Sequence, residues 1–481
     1  MWHPETPAAE MLPDVARFLA LLNAEPDFFE EQSPIYIARA PGRLDVMGGI
    51  ADYSGSLVLE MPLGVATLVA VQQIAEPWVI IQSTSASEIG STPLVVLPLE
   101  KLCPPEQPLG YQAARSLLTA DPESAWAAYV AGVLVVLQRE QQVEVRQGMR
   151  ILVHCEVPIG KGISSSAALE VASMQAICTL LEHPLDGRTL ALLCQKVENV
   201  IVGAPCGIMD QMTVACGDAD HLLALLCQPA ELQAPVPLPE ELEVWGIDSG
   251  IRHAVSGSDY GAVRTGAFMG YRIIADKAGL AVKQRGEGQV AIEDPLWQGY
   301  LANVTPSEWE THYRDALPEE MNGSAFLQRY GSSTDTVTRI DPRRSYAIRQ
   351  PTAHPIYEHH RVQLFRMLLE HGWLDEERLQ LLGELMYQSH ASYSACRLGS
   401  AGTDRLVELV RQAGPGAGLY GAKITGGGSG GTVAVLARRG SHAAIEQIVE
   451  CYVRETGQRV AVLSGSSPGA VRWGTLKVRH E

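Results

Sequence analysis

The chain has 481 residues, of which 46% are apolar and 19% are charged, and its formal net charge is −18. This length suits two domains, or one domain with a large insertion, and the apolar content is enough to bury a core. A strongly acidic surface disfavours binding to nucleic acid and to anionic membranes, although a local pocket can still bind a nucleotide or a sugar.

The nine cysteines are scattered along the chain and form no C-x-x-C pair. This usage disfavours a disulfide framework and a zinc site, and it favours a reducing compartment. The N-terminal segment has no basic region followed by an apolar run, and the apolar stretch 61–75 is too short to span a bilayer. We therefore expect a soluble, cytoplasmic protein, and the sequence leaves its oligomeric state open.

Hydrophobic periodicity and turn residues predict a mixture of strands and helices along the chain. In chain order, the predicted elements are helix 14–22, strand 35–38 with a loop after it, strands 65–73 and 78–83, helix 125–138, strand 149–157, helices 165–181 and 189–202, strands 221–227 and 242–247, helices 360–371, 376–390 and 404–413, a strand–loop–strand unit at 422–437, helix 442–457 and strand 459–463. Residues 282–355 lack strong periodicity, so we interpret them as an elaboration. The mixture predicts an α+β fold.

The central loop of the sequence reads PIGKGISSSAALEVAS, from Pro158 to Ser173, and lies between a predicted strand and a predicted helix. Glycines let backbone N–H groups turn inward, and a helix N-terminus adds partial positive charge, so the loop can cradle a phosphate. Serine hydroxyls can also bind Mg²⁺. A serine N-cap after a glycine turn explains the stretch equally well, and the loop is not a Walker A motif.

Two further segments are rich in glycine. KITGGGSGGTV, Lys423–Val433, has five glycines in six positions, more than a hairpin needs, which predicts a close backbone approach to a ligand or to the central loop. The alternative is a flexible hairpin tip. APGRLDVMGGIADY, Ala40–Tyr53, places Arg43, Asp45 and Asp52 near a strand end, where polar ligands commonly bind. Alone, these charges would more often face solvent.

Taken in order, APGRLDVMGG, P-x-G-x-G-x-S-S-S-A and K-x-T-G-G-G-x-G-G resemble the three signature motifs of the GHMP small-molecule kinases. GAPCGIMDQM, WAAYVAGV and DSGIRHAVSGSDYGAVR resemble segments of galactokinases. The resemblance covers the chain except for its N-terminal end and residues 282–350. It implies a two-domain α+β fold, with a ribosomal-S5-like domain at 1–235 and a ferredoxin-like domain at 236–481 that carries the elaboration at about 282–355.

The resemblance also implies ATP and Mg²⁺ as cofactors and assigns roles to residues. Asp210 matches the catalytic aspartate, which orients or deprotonates the anomeric hydroxyl, and Arg43 matches the arginine beside it. Ser166 and Glu198 match the Mg²⁺ ligands. The residues expected to bind ATP and its phosphates are Trp126, Pro158, Gly160, Lys161, Gly162, Ile163, Ser164, Ser165, Ser166, Ala167, Gly426, Gly427 and Gly428. The residues expected to bind the sugar are Gly49, Ile50, Asp52, Tyr53, Gly207 and Tyr260. Without the motifs, Asp210 would be interpreted as a helix cap and Glu198 as a solvated helix position.

One departure from galactokinases concerns the sugar. They usually read G-E-H-T-D-Y where this chain reads GGIADY, residues 48–53. The lost Glu-His pair meets the far end of the hexose in galactokinases, and a site without that partner loses its preference for the corresponding hydroxyl. L-arabinopyranose has the ring stereochemistry of D-galactopyranose but lacks the C6 hydroxymethyl group, so a pentose is favoured.

Several segments, including VMGGIADYSGSLVLEMP and MYQSHASYSACRLGSAGTDRLVELV, resemble the kinase portion of plant L-arabinokinases, and Lys161 fits that subgroup. The resemblance implies the reaction ATP + L-arabinose → ADP + β-L-arabinose 1-phosphate. One alternative is a galactokinase or a relaxed kinase for galactose-like sugars. An alternative of another class is a non-catalytic sensor of sugar and nucleotide.

Overall fold

The computed structural model describes residues 1–5, 11–24, 27–251, 258–285, 289–370 and 374–480. The strands are β1 (Trp2–Pro4), β2 (Ile35–Met47), β3 (Leu57–Ile74), β4 (Trp78–Ser83), β5 (Leu94–Pro98), β6 (Gly148–Cys155), β7 (His221–Leu226), β8 (Glu231–Leu232), β9 (Val236–Pro237), β10 (Leu242–Asp248), β11 (Ala281–Gln284), β12 (Val290–Glu293), β13 (Glu320–Asn322), β14 (Ser345–Ala347), β15 (Leu419–Ile424), β16 (Thr432–Arg438), β17 (Val462–Leu463) and β18 (Thr475–His480).

The α-helices occur singly or in runs of three between these strands. They are α1 (Pro13–Ala24), α2 (Leu99–Leu102), α3 (Tyr111–Leu118), α4 (Ala128–Gln141), α5 (Ser165–Leu180), α6 (Gly187–Lys196), α7 (Met209–Cys216), α8 (Ser258–Lys277), α9 (Pro306–Glu308), α10 (Gly323–Tyr330), α11 (Arg349–Glu370), α12 (Glu376–Ala395), α13 (Ala401–Ala413), α14 (His442–Thr456) and α15 (Ala470–Trp473). None of the helices within the described ranges is both long and apolar enough to cross a membrane.

The larger sheet has the strand order β1-β18-β2-β3-β6-β4-β5, and β7 pairs with the first part of β3. Helix α5 packs on β2 and β3, and the core between them continues through α4 and α7. Strand β18, from the end of the chain, pairs with β2 and so completes a sheet that the first half builds. The division of domains between residues 235 and 236 stays a prediction.

The smaller sheet has the order β15-β16-β10-β17. Helices α13 and α14 cover it through a core that includes Ile247, Val435 and Tyr452. The loop between β15 and β16 leaves this sheet and approaches the N-terminus of α5, as described below. This approach brings the tip of the hairpin to the candidate site.

The predicted elaboration is ordered around its own aromatic core. It contains two antiparallel strand pairs, β11–β12 and β13–β14, and a core cluster with buried Trp297, Trp309 and Phe326. Helix α11 begins at Arg349, well before the predicted start at residue 360. Pro355 lies inside this helix. Because proline removes a backbone donor and normally interrupts a helix, the sequence predicted that the helix starts only after it. Residue 371, the predicted end of the helix, lies outside the described residues.

The prediction of a loop after residue 38 was wrong. Strand β2 continues to Met47, with register shifts between Pro41 and Arg43 and between Asp45 and Met47. Bulges of this kind let proline and glycine lie within a strand, so the A-P-G sequence did not end it. Smaller differences are a 3₁₀ turn before α4 and a π-helical segment at Val197–Val202. The strand predicted at 459–463 is shorter in the structure, where it is β17.

Candidate functional site

A cavity of about 270 Å³ lies beside the larger sheet and the start of α5, and Gly427 in the loop between β15 and β16 also lines it. Many of the residues predicted from sequence line it: Arg43, Asp52, Trp126, Gly160, Gly162, Ser164, Ser165, Ser166, Glu198, Gly207, Asp210, Tyr260 and Gly427. The other predicted residues are not among those that line it: Gly49, Ile50, Tyr53, Pro158, Lys161, Ile163, Ala167, Gly426 and Gly428. Segments separated by almost the whole chain therefore meet at one cavity.

Three residues of the central loop adopt the left-handed backbone conformation, which glycine adopts most easily. Gly160 and Gly162 have φ values of +72° and +71°, and Ser164, which precedes α5, has a φ of +62°. The Ser164 hydroxyl is buried and has no hydrogen-bond partner among the described residues. A free hydroxyl beside the N-terminus of a long helix, with its unpaired N–H groups, is suited to an anionic ligand.

The glycine-rich hairpin packs directly on this loop, which confirms the predicted close approach. A Cβ atom on Gly426 would lie 2.5 Å from the Gly162 carbonyl oxygen, and one on Gly431 would lie 2.6 Å from that of Lys161. The backbone N–H of Thr432 donates to the Lys161 carbonyl at 3.0 Å. The side chain of Lys161 turns away and pairs with Asp248 at 2.8 Å. Any side chain at these glycines would separate the two loops.

Arg43 and Asp210 form an ion pair at the cavity wall. Asp210 lies in the first turn of α7 with 22% of its side chain exposed, whereas the Arg43 side chain is only 2% exposed. The Arg43 Nε atom donates to Asp210 Oδ1 at 3.1 Å, and Nη2 donates to the same oxygen. Arg43 Nη1 also donates to the Thr425 hydroxyl at 3.3 Å. Burial disfavours the charge of Arg43, but the negative charge around it, that of Asp210 first, outweighs burial and raises its pKa, so it stays a cation.

A second acidic group lies beside the start of α5. Glu198, in the π-helical segment, accepts a hydrogen bond from Gln211 Nε2 at 2.6 Å, and the same nitrogen lies 3.3 Å from Glu170 Oε2. Burial and then the charge of Asp210 raise the pKa of Glu198 to about 7, against a hydrogen bond with Ser166. Ser166 and Glu198 therefore present two oxygen donors to one part of the cavity. Within the described ranges, no three His, Cys, Asp or Glu side chains are grouped to hold a metal ion by themselves.

Asp52 supplies a buried carboxyl at another part of the wall. It lies in the 3₁₀ turn Asp52–Ser54, is 4% exposed, and its Oδ1 atom has no hydrogen-bond partner among the described residues. A Cβ atom on Gly207 would lie 1.6 Å from Asp52 Oδ2, so glycine is required there. Burial and then the charge of Asp210 raise the pKa of the Asp52 carboxyl to about 6. Its free oxygen can accept a hydrogen bond from a polar ligand.

Gly49 and Ile50 lie beneath the wall rather than on it. A Cβ atom on Gly49 would lie 1.8 Å from the Tyr393 hydroxyl and 2.1 Å from Asp45 Oδ2. Ile50 is 1% exposed with a φ of +51° and packs in a cluster with Tyr393. The turn is anchored from α11, because a ring nitrogen of His354 lies 2.9 Å from the Gly49 carbonyl oxygen. A glutamate at position 49 would require the Tyr393 hydroxyl to move.

Arg264 links the elaboration to the site and was not singled out from sequence. Its guanidinium donates to both Asp335 oxygens, at 3.0 and 2.8 Å, and to the Cys206 carbonyl at 3.0 Å. It also lies 5.4 Å from the ring centroid of Tyr53, which packs edge-on against Tyr260. Arg264 lies in one of the galactokinase-like segments, but Asp335 lies in a region without any sequence signal. Residues 252–257 of that segment lie outside the described residues.

Half of the lining residues were not among the predicted site residues. They are Ser83, Ser85, Ala86, Ile89, Tyr129, Val153, Cys155, Ile159, Leu169, Ala204, Pro205, Cys206 and Met209. Tyr129 lies three residues after Trp126 in the galactokinase-like WAAYVAGV segment, so this motif was the available signal. Ile159, Leu169, Ala204, Pro205, Cys206 and Met209 also lie within the quoted motif segments, but no role was predicted for them. No motif marks the remaining residues, which lie on β4, on β6 and in the turn after β4.

Family profiles match three separate parts of the chain. The GHMP kinases N terminal domain matches residues 128–218, and the GHMP kinases C terminal domain matches residues 373–457. The galactokinase galactose-binding signature matches residues 26–73. These regions contain β2, α5, α7 and the glycine-rich hairpin, which surround the cavity.

Individual proteins agree with these profiles. The chain is 30% identical to the galactokinase of Chloroflexus aurantiacus, over 89% of this chain and 91% of that protein. The structure of Lactococcus lactis galactokinase complexed with galactose superposes with a TM-score of 0.72 at 19% identity, over 94% of this chain and 99% of that one, which supports the fold. The chain belongs to the GHMP kinase family, and the predicted family and fold are confirmed.

The L-arabinokinase of Arabidopsis thaliana is 45% identical to the chain over 94% of its length. The match covers 47% of the Arabidopsis protein, so the chain spans about half the length of that relative.

Proposed function

We propose that the protein is an ATP-dependent sugar kinase that transfers the γ-phosphoryl group to the anomeric hydroxyl of L-arabinose, giving β-L-arabinose 1-phosphate. The observation that carries the proposal is the Arg43–Asp210 pair, which lines one cavity together with the cradle loop and Asp52. The L-arabinokinase relative supports the choice of sugar.

Phosphoryl transfer needs positioned groups and neutralised charge more than covalent chemistry from the protein. Asp210 is open to the cavity and would accept the proton of the anomeric hydroxyl, while Arg43 fixes its carboxylate with two donors. The N-terminus of α5 would hold the phosphates. Trp126 and Tyr129 line the same cavity and offer aromatic surface for the adenine ring.

Ser166 and Glu198 fit a Mg²⁺ ion, because Mg²⁺ in phosphoryl-transfer sites takes few protein oxygens and keeps water and phosphate ligands. The free hydroxyl of Ser164 nearby adds a further oxygen. When bound, Mg²⁺ would neutralise charge on the phosphates.

We expect Glu198→Gln to raise the Mg²⁺ concentration needed for half-maximal activity by about tenfold or more, because an amide binds this cation less strongly than a carboxylate. The measurement is a Mg²⁺ titration at saturating ATP and sugar, with Glu384→Gln on the exposed face of α12 as the matched control. An unchanged Mg²⁺ requirement would remove Glu198 from the metal site.

We expect sugar binding to weaken in acid. The pKa of Asp52 is raised to about 6, so its carboxylate, the form that accepts hydrogen bonds from hydroxyls, is lost as the pH falls through that value. The KM for the sugar should rise by about tenfold between pH 7 and pH 5, because one ionisation changes the anion fraction tenfold per pH unit below its pKa. In Asp52→Asn the KM should be high at both pH values. A wild-type KM that stays flat would contradict this role.

A galactokinase or a relaxed kinase for galactose-like sugars is the second candidate. The galactose-binding signature over residues 26–73 and the galactokinase relatives favour it. Phosphorus NMR of the reaction mixture tests the proposal, since a sugar 1-phosphate has lost its reducing end. An arabinose 1-phosphate supports the main proposal, a galactose 1-phosphate made in preference supports the second, and binding of both ligands without product supports a sensor.

We also propose that the protein works in the cytoplasm. All nine cysteines are free in the structure, and several are buried in the core. Thiols of this kind persist in a reducing compartment.

A further inference from the structure

Arg43 contacts carboxyl groups of two different kinds. Asp210 lies on the cavity side with 22% of its side chain exposed, whereas the Glu60 side chain is fully buried. Glu60 lies on β3 directly opposite Asp45 of β2, and its Oε2 atom is 3.3 Å from Arg43 Nε. Glu60 lies in the quoted segment VMGGIADYSGSLVLEMP, but no role was predicted for it.

Glu60 differs from the buried carboxylate beside it. Asp45 has an ion pair with Lys423 at 2.6 Å and accepts a hydrogen bond from the Tyr393 hydroxyl at 3.2 Å. Neither oxygen of Glu60 has a hydrogen-bond partner among the described residues. A buried carboxylate without hydrogen bonds is costly, whereas a neutral carboxyl is much less so.

The balance of charge points the same way. Arg43 and Lys423 are two cations, and Asp45 and Asp210 already supply two anions. An ionised Glu60 would add an uncompensated third anion directly opposite Asp45, where like charges repel. Burial, and then the charge of Asp45, raise the pKa of Glu60 well above its usual value.

We propose that Glu60 is a positioning residue, an uncharged carboxyl that packs against the buried edge of Arg43 and keeps its guanidinium directed at Asp210. This inference rests on the proposed kinase function. A neutral group fills the space behind Arg43 without competing for its charge, so Asp210 is the ionised carboxylate to which Arg43 donates its hydrogen bonds. The charged and titratable groups that face Glu60 are Arg43, Asp45, Asp210, Cys227, Tyr393 and Lys423.

The activity test compares Glu60→Ala, which leaves a void, with Glu60→Gln and Glu60→Met, which keep the bulk without a charge. We expect Glu60→Ala to lower kcat by about tenfold or more with little change in the KM for ATP, because a small displacement of a catalytic group is costly. Glu60→Gln or Glu60→Met should retain at least about half of kcat, since each still packs behind Arg43. They should also lose less activity than the wild type as the pH rises toward the raised pKa of Glu60, because they have no carboxyl to ionise. Equal losses in all three variants, or full kcat in Glu60→Ala, would overturn the proposal.

A second readout does not depend on catalysis. A carboxyl whose pKa is raised on folding keeps a proton that the unfolded chain has lost. The free energy of unfolding therefore falls as the pH rises above the pKa of this group in the unfolded chain. The Tm of Glu60→Met minus the Tm of the wild type should therefore increase from pH 5 to pH 8. A Tm difference that stays constant or decreases with rising pH would refute the uncharged state of Glu60. Absence of sugar phosphorylation by the wild type would refute the proposed function instead, and the Tm comparison would then decide the state of Glu60 alone.

Discussion

Replacing Asp210 by alanine is expected to lower kcat for sugar phosphorylation by at least about a hundredfold, the scale of a lost general base, while ATP still binds. The carboxylate is the exposed member of the Arg43–Asp210 pair and is the one that Arg43 orients toward the cavity. ATP binding should persist because the cradle belongs to a different segment, at the start of α5. Coupled ADP release gives the rate, and calorimetry gives the affinity for ATP.

Two further variants separate chemistry from stability in this experiment. Asp210→Asn keeps the shape of the side chain, so a loss of rate with an unchanged Tm would assign the effect to the carboxylate. Asp315→Asn removes an exposed carboxylate far from the cavity and should leave the rate unchanged. Near-normal turnover in Asp210→Ala would show that another group takes the proton.

Replacing Gly207 by alanine is expected to abolish tight sugar binding. The new methyl carbon would lie 1.6 Å from Asp52 Oδ2, much closer than any real contact, so either the Asp52 carboxylate or the 204–207 segment must move. Because a misplacement of about 1 Å costs about a hundredfold, we expect a loss of at least that size in kcat/KM for the sugar. The affinity for ATP, measured separately, should change little.

Gly110→Ala is the matched control for this variant. A Cβ atom at Gly110 would meet nothing within 4 Å, and the backbone there has an ordinary φ of −66°. The same chemical change should therefore leave kcat/KM unaltered. A Gly207→Ala protein that binds the sugar normally would show that Asp52 and Gly207 do not form part of the sugar site.

The sequence was most informative where the site is built from short contiguous segments. The cradle needs glycines, serines and a helix start within a few positions, and all of them are adjacent in the chain. Asp210 and Glu198 were found because motif resemblance fixes them by position. The contact between the glycine-rich hairpin and the cradle was also predicted, because an excess of glycine implies close backbone approach.

Contacts between distant segments could not be predicted in this way. Glu60 meets Arg43 through the register of β2 on β3, and nothing in the composition of β3 fixes that register. Arg264 meets Asp335 from an irregular region. The sequence also placed Gly49 on the pocket wall, whereas the space beside it is occupied by the Tyr393 hydroxyl. That the change at residues 49 and 50 selects a pentose stays a prediction, and any selection must act through Tyr393 and Asp45 beneath the wall.

Coupled ADP release with L-arabinose, D-galactose and galacturonate, each with and without Mg²⁺, tests the central claim most directly. The proposed function predicts release that depends on Mg²⁺, with the highest kcat/KM for L-arabinose. A higher kcat/KM for D-galactose would support the kinase activity but contradict the choice of sugar. No ADP release with any of the three sugars would contradict the proposed reaction.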